Sequence, residues 1–439
     1  MAITQPVATT AISTPETGKS YRAPLAMVTT LFFMWGFLTC LNDILVPHLK
    51  AIFDLNYAQV MLIQFCFFSA YFVFSVPAGK IIESVGYQVT MVGGLFTMGL
   101  GALLFVPAAS VPSFPLFLAA LIILAAGITV LQVSANPYVA VLGPARTASS
   151  RLNLTQAFNS LGTTVAPYFG GLLILGAATV PKTPEQLRAM SAESLHAYRL
   201  LEASSVKMPY TAVAIALFVL GIVIAKFNLP HIPEAEGGHH VEAGAHDSVW
   251  KHRNLVLGAI AIFCYVGGEV SIGSFLVNYM HLPDIGNLKL EVAAKYLTFY
   301  WGGAMVGRFI GSAVLQKVPT RIVLGFNASV AALLVCASMS SYGHVAMWAM
   351  LAVGLFNSIM FPSIFTLGIE GLGPLTGEAS GVLVMAIVGG AIVPELQALL
   401  ADRVGLHHAF VLPVLCYLYI LFFAAKGQPR RRPAAGYAR

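Results

Sequence analysis

Long apolar runs separated by short polar breaks dominate this chain. Twelve runs come close to or exceed the roughly 20 residues that a helix needs to cross a bilayer. They cover 25–48, 57–82, 89–108, 114–141, 152–178, 208–227, 254–280, 290–315, 321–340, 344–369, 377–401 and 407–425. Each predicts a spanning helix, because a backbone in lipid must satisfy its own hydrogen bonds. Two longer polar interruptions stand out. Residues 179–207 predict a short amphipathic surface segment, and 229–253 a linker. The expected organisation is a cytoplasmic tail (1–24), a first six-helix bundle (25–228), a cytoplasmic linker (229–253), a second six-helix bundle (254–426) and a basic tail (427–439).

The two halves repeat each other. Asn136-Pro137 matches Phe361-Pro362 at an offset of 225 residues, and the run from Gly162 to Pro167 matches Gly389 to Pro394 at 227. Asp43 and Glu269, 226 apart, fall in the same register. Such a repeat is how many secondary transporters are built, with the binding site at the midplane between halves. The fold class expected is an all-α polytopic membrane protein with two pseudo-symmetric six-helix bundles.

Composition agrees. Of 439 residues, 58% are hydrophobic and 10% charged, against about 25% charged in soluble domains. Mean hydropathy is +0.80. The net charge of +6 does not point to nucleic acid, because the basic residues are spread over short connections and the tail Arg430–Arg432. With the N-terminus inside, 15 Lys and Arg fall on the cytoplasmic side and 8 on the other. That bias predicts both termini in the cytoplasm of a multi-pass inner-membrane protein. The five cysteines lie within apolar runs without metal spacing, so they read as packing residues. No metal site, cofactor or enzyme motif (HExxH, P-loop, GxSxG) is present in the sequence, and the chain reads as a non-enzyme.

Within this apolar background the polar exceptions carry the chemistry. Asp43 sits in an otherwise apolar helix, where a carboxylate costs roughly 2.5–3.5 kcal/mol at the helix centre. It and Glu269 are the candidate ion-coupling groups, although Glu269 could instead pair with Arg308 of the eighth crossing. Trp35 and Asn42 share a helix face beside Asp43 and offer a stacking surface with hydrogen-bonding groups for a sugar. Gln132 in the fourth crossing, Gln156 and Asn159 in the fifth, and Asn357 with Phe361 in the tenth complete the expected substrate-binding set. Asn153, Gln156 and Asn159 recur every three residues, a polar stripe that suits either a cavity or a helix interface.

The segment Leu31–Lys50 resembles the fucose–galactose–glucose:proton symporter family of the major facilitator superfamily. So do Ser134–Pro144, Arg151–Gly162, Gly268–Tyr279 and Phe361–Pro374. The resemblance spans all twelve expected helices and is nearest the glucose/galactose branch. It implies alternating-access import of a hexose with a proton, with Na⁺ as the alternative cation. It also implies a coupling role for Asp43 and sugar contacts for Gln156 and Asn159. The fucose branch has a second acid where this chain has Gln132, and Tyr where it has Phe361. Without that acid, the fucose branch's relay is not expected in the same form, and Asp43 acts alone or with Glu269. A non-transporting sugar sensor is the weaker alternative. The protein is expected to work as a monomer in the bilayer, with a small sugar and no nucleic acid as partner.

The superfamily's latch between the second and third crossings maps onto Gly79, Glu83, Ser84 and Gly86. Its basic partners are replaced here by Ser84, Gln88 and Val89. That change predicts a weak latch and a bias toward the inward-open state.

Overall fold

The computed structural model describes residues 21–53, 57–111, 113–170, 186, 189–230 and 248–426. The side chains of 41–53, 57–62, 64, 167, 169–170 and 196 lie outside the described set. Asn42 and Asp43 are among these. Most of the expected linker and both expected tails also fall outside the described residues.

All regular structure among the described residues is helical. In chain order the helices of the first half are α1 (Arg22–Phe53), α2 (Tyr57–Ser110), α3 (Phe114–Val141), α4 (Ala148–Gly170), α5 (Ala192–Ser204) and α6 (Lys207–Lys226). Those of the second half are α7 (Arg253–His281), α8 (Leu290–Val314), α9 (Thr320–Met339), α10 (Gly343–Asn357), α11 (Met360–Gly368), α12 (Thr376–Met385), α13 (Gly389–Val404), α14 (Leu406–Ala409) and α15 (Val411–Lys426).

Nine segments among the described residues are long and apolar enough to cross a membrane. One of them, Phe65–Ser110, holds two crossings. The expected pair at 57–82 and 89–108 forms two helices, taken together as α2, that break at Gly86 (φ 80°, ψ 172°). A Cβ would clash in that conformation, so glycine is needed there. The helices α4 and α8 supply the other two crossings. They miss the apolar criterion because α4 carries Asn153, Gln156 and Asn159 and α8 carries Glu291, Lys295 and Arg308. The tenth and eleventh crossings are interrupted. The former breaks between α10 and α11 at Ser358 and Ile359, and the latter passes through a 3₁₀ turn at Ala386–Val388 between α12 and α13. Of the polar 179–207 stretch, the described part forms α5, capped where the Ser191 hydroxyl accepts from the Ser194 amide at 3.2 Å.

Arg151 ties α3 to α4. Its Nε donates to the Val139 carbonyl (3.2 Å), Nη2 to Ala140 O (2.7 Å), and Nη1 to Pro144 O (2.9 Å) and Thr147 Oγ1 (2.6 Å). The last carbonyls of a helix have no partner of their own, and one guanidinium satisfies several of them here.

The bundles meet through α4 on α8 and α11, and through α2 and α3 on α12. Their cross-bundle hydrogen bonds begin at the end that carries the connections 142–147, 315–319 and 369–375. The Ser149 and Thr366 hydroxyls lie 2.6 Å apart, Thr320 Oγ1 donates to Ser149 Oγ at 2.9 Å, and Ser150 Oγ donates to Ser312 O at 2.6 Å. Deeper in, Ser380 Oγ donates to Val133 O at 2.7 Å.

This end is closed in the structure. The reason lies in the backbone. A Cβ on Gly79 would come within 2.8 Å of the Gly377 carbonyl, and one on Gly381 within 2.7 Å of the Ser75 carbonyl. Close glycine packing and hydroxyl bonds join the bundles where charged latch residues were looked for. Ser84 is exposed and donates to Ile81 of its own helix at 2.9 Å.

Gly381→Val is expected to wedge α12 from α2 at this end. Overpacking of this kind costs about 1–3 kcal/mol, so the open-to-closed ratio should rise roughly tenfold. In a chain with its native cysteines replaced, a water-soluble maleimide should label Ser312→Cys correspondingly faster in the Gly381→Val background. Equal rates in both backgrounds would contradict the close-packing account.

Candidate functional site

Two polar patches face the interface between bundles, one on each side. The first is built from α2, α3 and α4. Gln132 Nε2 donates to the Tyr71 hydroxyl at 2.7 Å, and Gln156 Nε2 donates to Asn136 Oδ1 at 3.3 Å. Gln132, Asn136 and Gln156 are all buried, and the Asn136 amide nitrogen has no hydrogen-bond partner. Asn159 Nδ2 donates to the Phe32 carbonyl of α1 at 2.9 Å, which fixes α4 against the first crossing. Trp35 is buried, with its ring 5.3 Å from that of Phe32. The described part of α1 therefore contributes an aromatic wall.

The second patch lies on α7, α8, α10 and α11. The Tyr265 hydroxyl donates to Glu269 Oε1 at 2.7 Å, and the Tyr300 hydroxyl donates to the Glu269 carbonyl at 3.2 Å. Asn357, fully buried, donates to Tyr300 Oη at 2.9 Å and leaves its own Oδ1 without a partner. Phe361 packs 6.4 Å from Tyr265 and 6.0 Å from Phe365. Glu269 is half-buried, held by a neutral tyrosine.

The expected substrate residues thus fall into two groups. Gln132, Gln156 and Asn159 belong to the first patch with Trp35, while Asn357 and Phe361 belong to the second with Glu269. Asn357 is sealed within its own bundle rather than turned to an open cavity. Asn42 and Asp43 lie outside the described side chains. Tyr71 was missed from sequence: nothing distinguishes it among the aromatics of α2, and its role follows only from contact with Gln132 across helices.

Arg308 is also not where the ion-pair alternative puts it. Arg308 and Glu269 form no direct ion pair. The guanidinium reaches the other bundle instead, where Nη1 donates to Ser160 Oγ and, at 3.5 Å, to the Gln156 carbonyl.

Buried amides and hydroxyls with unfilled capacity suit a neutral polyhydroxylated solute. Each hydroxyl of such a solute can donate and accept, and can supply the acceptor that Asn136 Nδ2 lacks. An unfilled buried polar atom costs about 1–3 kcal/mol, which a bound hydroxyl or water removes. Among the described residues no cluster of His, Cys, Asp and Glu could hold a metal ion.

Comparison with known proteins adds identity to this geometry. Residues 26–394 match the profile of the Major Facilitator Superfamily. The chain is 52% identical over 409 residues to a glucose/galactose transporter of Brucella abortus, covering 93% of this chain and 95% of the relative. It is 37% identical over 416 residues to the L-fucose-proton symporter of Escherichia coli K12, covering 92% and 93%. A solved Major Facilitator Superfamily transporter, FucP in the outward conformation, superposes with a TM-score of 0.87 at 35% identity, covering 94% of this chain and all of that one.

Tyr71→Phe tests the first patch. It removes the acceptor of Gln132 Nε2 and frees a buried donor, so KM for the transported solute should rise about tenfold while Vmax changes little. Uptake kinetics in membrane vesicles measure both. An unchanged KM would remove Tyr71 and Gln132 from the binding surface.

Proposed function

The chain belongs to the Major Facilitator Superfamily, and from that premise we propose that it imports a hexose of the glucose/galactose type, coupled to proton entry, by alternating access. The observation that carries this reading is the first patch. Its buried amides and tyrosine hydroxyl offer hydrogen bonds without charge, as a neutral sugar requires. Half-identity to a glucose/galactose transporter over nearly the whole chain supports the substrate class, and the fucose-proton relative supports the proton.

In this reading both termini are cytoplasmic, so the closed end faces the cytoplasm and the structure is outward-facing. The sugar enters between the patches and bonds Gln132, Gln156 and Asn159 from one bundle. Trp35, Asn42 and Phe361 wall it, and Asn357 braces Tyr300 behind the second patch. Asp43 binds the coupling proton from the outside and releases it inside, with Glu269 as the second acidic group on the route. Gln132 cannot carry a proton, so coupling rests on these two carboxylates. A sugar that binds more tightly when the carboxylate is neutral links the two fluxes, since a ligand shifts an equilibrium only by its differential affinity. The protein works as a monomer in the inner membrane.

The test is radiolabelled glucose uptake into proteoliposomes with proton and sodium gradients imposed separately. The proton gradient alone should drive accumulation. Asp43→Asn should abolish accumulation by at least tenfold while equilibrative exchange persists. Accumulation driven only by sodium would replace the cation and move the coupling site toward Glu269. Absence of glucose and galactose flux under both gradients would reject the substrate class.

A further inference from the structure

Pro362 in the interrupted tenth crossing has no amide hydrogen, so the carbonyl four residues earlier, that of Ser358, loses its helical donor. Arg308 fills the gap, with Nε donating to Ser358 O at 3.2 Å. This anchors the guanidinium within the second bundle. Its other arm crosses to α4, where Nη1 meets Ser160 Oγ and the Gln156 carbonyl. Ser160 in turn donates to the same Gln156 carbonyl at 3.2 Å. From the opposite direction, Asn153 Nδ2 donates to the Arg308 carbonyl at 2.7 Å. One residue of α8 is thus held by two turns of α4, directly behind Gln156.

Every hydrogen-bond acceptor that Arg308 uses is neutral. Glu269 is the acid tied to the same corner of the bundle: the Tyr300 hydroxyl donates to its carbonyl and accepts from Asn357, the residue before the Ser358 that Arg308 holds, and its Oε1 accepts from the Tyr265 hydroxyl. The cation therefore sits between two competing holders, the α4 acceptors of the first bundle and the α7 carboxylate of its own bundle.

We propose that Arg308 is a switchable clasp that joins the bundles while Glu269 is neutralised and lets go of α4 when Glu269 is a bare carboxylate. Bound to α4, it keeps the end at 142–147 and 315–319 closed. Drawn to Glu269, it frees Ser160 and the Gln156 backbone, and the bundles can part there. The pairing also favours the charged form of Glu269 in the parted state, so cation release and opening assist one another. Arg308 is a positioning residue. It acts on the sugar only through Gln156, and on the cation only through Glu269.

The proposal rests on the reading that the two bundles rock against each other, but its test needs neither sugar nor gradient. Spin labels at Ser84→Cys and Lys317→Cys, both exposed, report the separation of the bundles in a chain without its native cysteines. Arg308→Gln should raise the open-to-closed ratio about tenfold, the loss of a charge-assisted bond. Ser160→Ala should move it in the same direction by less, and Arg308→Lys should restore closure only in part. Glu269→Gln should lower the ratio in the parent chain and have no effect once Arg308→Gln is present.

Unchanged distances in both Arg308→Gln and Ser160→Ala would overturn the clasp. An equal effect of Glu269→Gln with and without Arg308 would overturn the switch. If Arg308→Gln fails to fold, Ser160→Ala and Glu269→Gln, singly and together, decide the matter by the same logic. Failure of hexose transport in the uptake assay would leave these distances interpretable.

Discussion

Inside a bilayer no water is available to a backbone carbonyl that has lost its helical partner, so another part of the chain must supply a donor. Two of the prolines within the crossings show how that demand is met. Pro137 leaves the Val133 carbonyl open, and Pro362 leaves that of Ser358 open. The first is taken by the Ser380 hydroxyl of the opposite bundle, the second by Arg308. The demand is local, yet its satisfaction is not. One donor crosses between bundles outright, and the other orients a side chain that crosses with its remaining arm. The contact surface of the two halves is therefore set partly by where the helices of each half are broken.

The binding region follows from the same economy of donors and acceptors. The first bundle presents amides and a tyrosine, each tied to a neighbour on another helix, so the side chains are held before any solute arrives. The second presents tyrosines around a single carboxylate. In the proposed reading, a neutral, hydroxyl-rich solute bridges the patches without bringing charge into the membrane.

Much of this was legible in the sequence. Apolar run length revealed ten of the crossings as readily as it does in any membrane protein. It also revealed α4 and α8, whose apolarity is lowered by polar residues, among them Asn153 and Arg308 that bond across the bundles. The Asn153, Gln156 and Asn159 stripe left a cavity and a helix interface as alternatives. The structure divides it: Asn153 bonds across the bundles, Gln156 joins the polar patch, and Asn159 fastens α4 to α1. What escaped were relations between distant segments. Tyr71 gains meaning only opposite Gln132, and the sequence offered Arg308 only as an alternative partner for Glu269 of its own half. The closure of the 142–147 end escaped for a related reason. Missing charges are visible in a sequence, whereas the approach of Gly79 to Gly377 and of Gly381 to Ser75 is visible only once two helices lie side by side.

The bend of α2 at Gly86 is followed by Gln88, whose amide nitrogen donates to the Ile224 and Phe227 carbonyls at the end of α6 at 2.8 and 2.7 Å. Tyr138 holds the next stretch by donating to Pro230 at 3.2 Å. The end of α6 and the residues up to Pro230 are thereby riveted to the stretch of α2 beyond Gly86 and to the end of α3. A load on that corner is shared by three helices at once, so the end of α6 resists fraying.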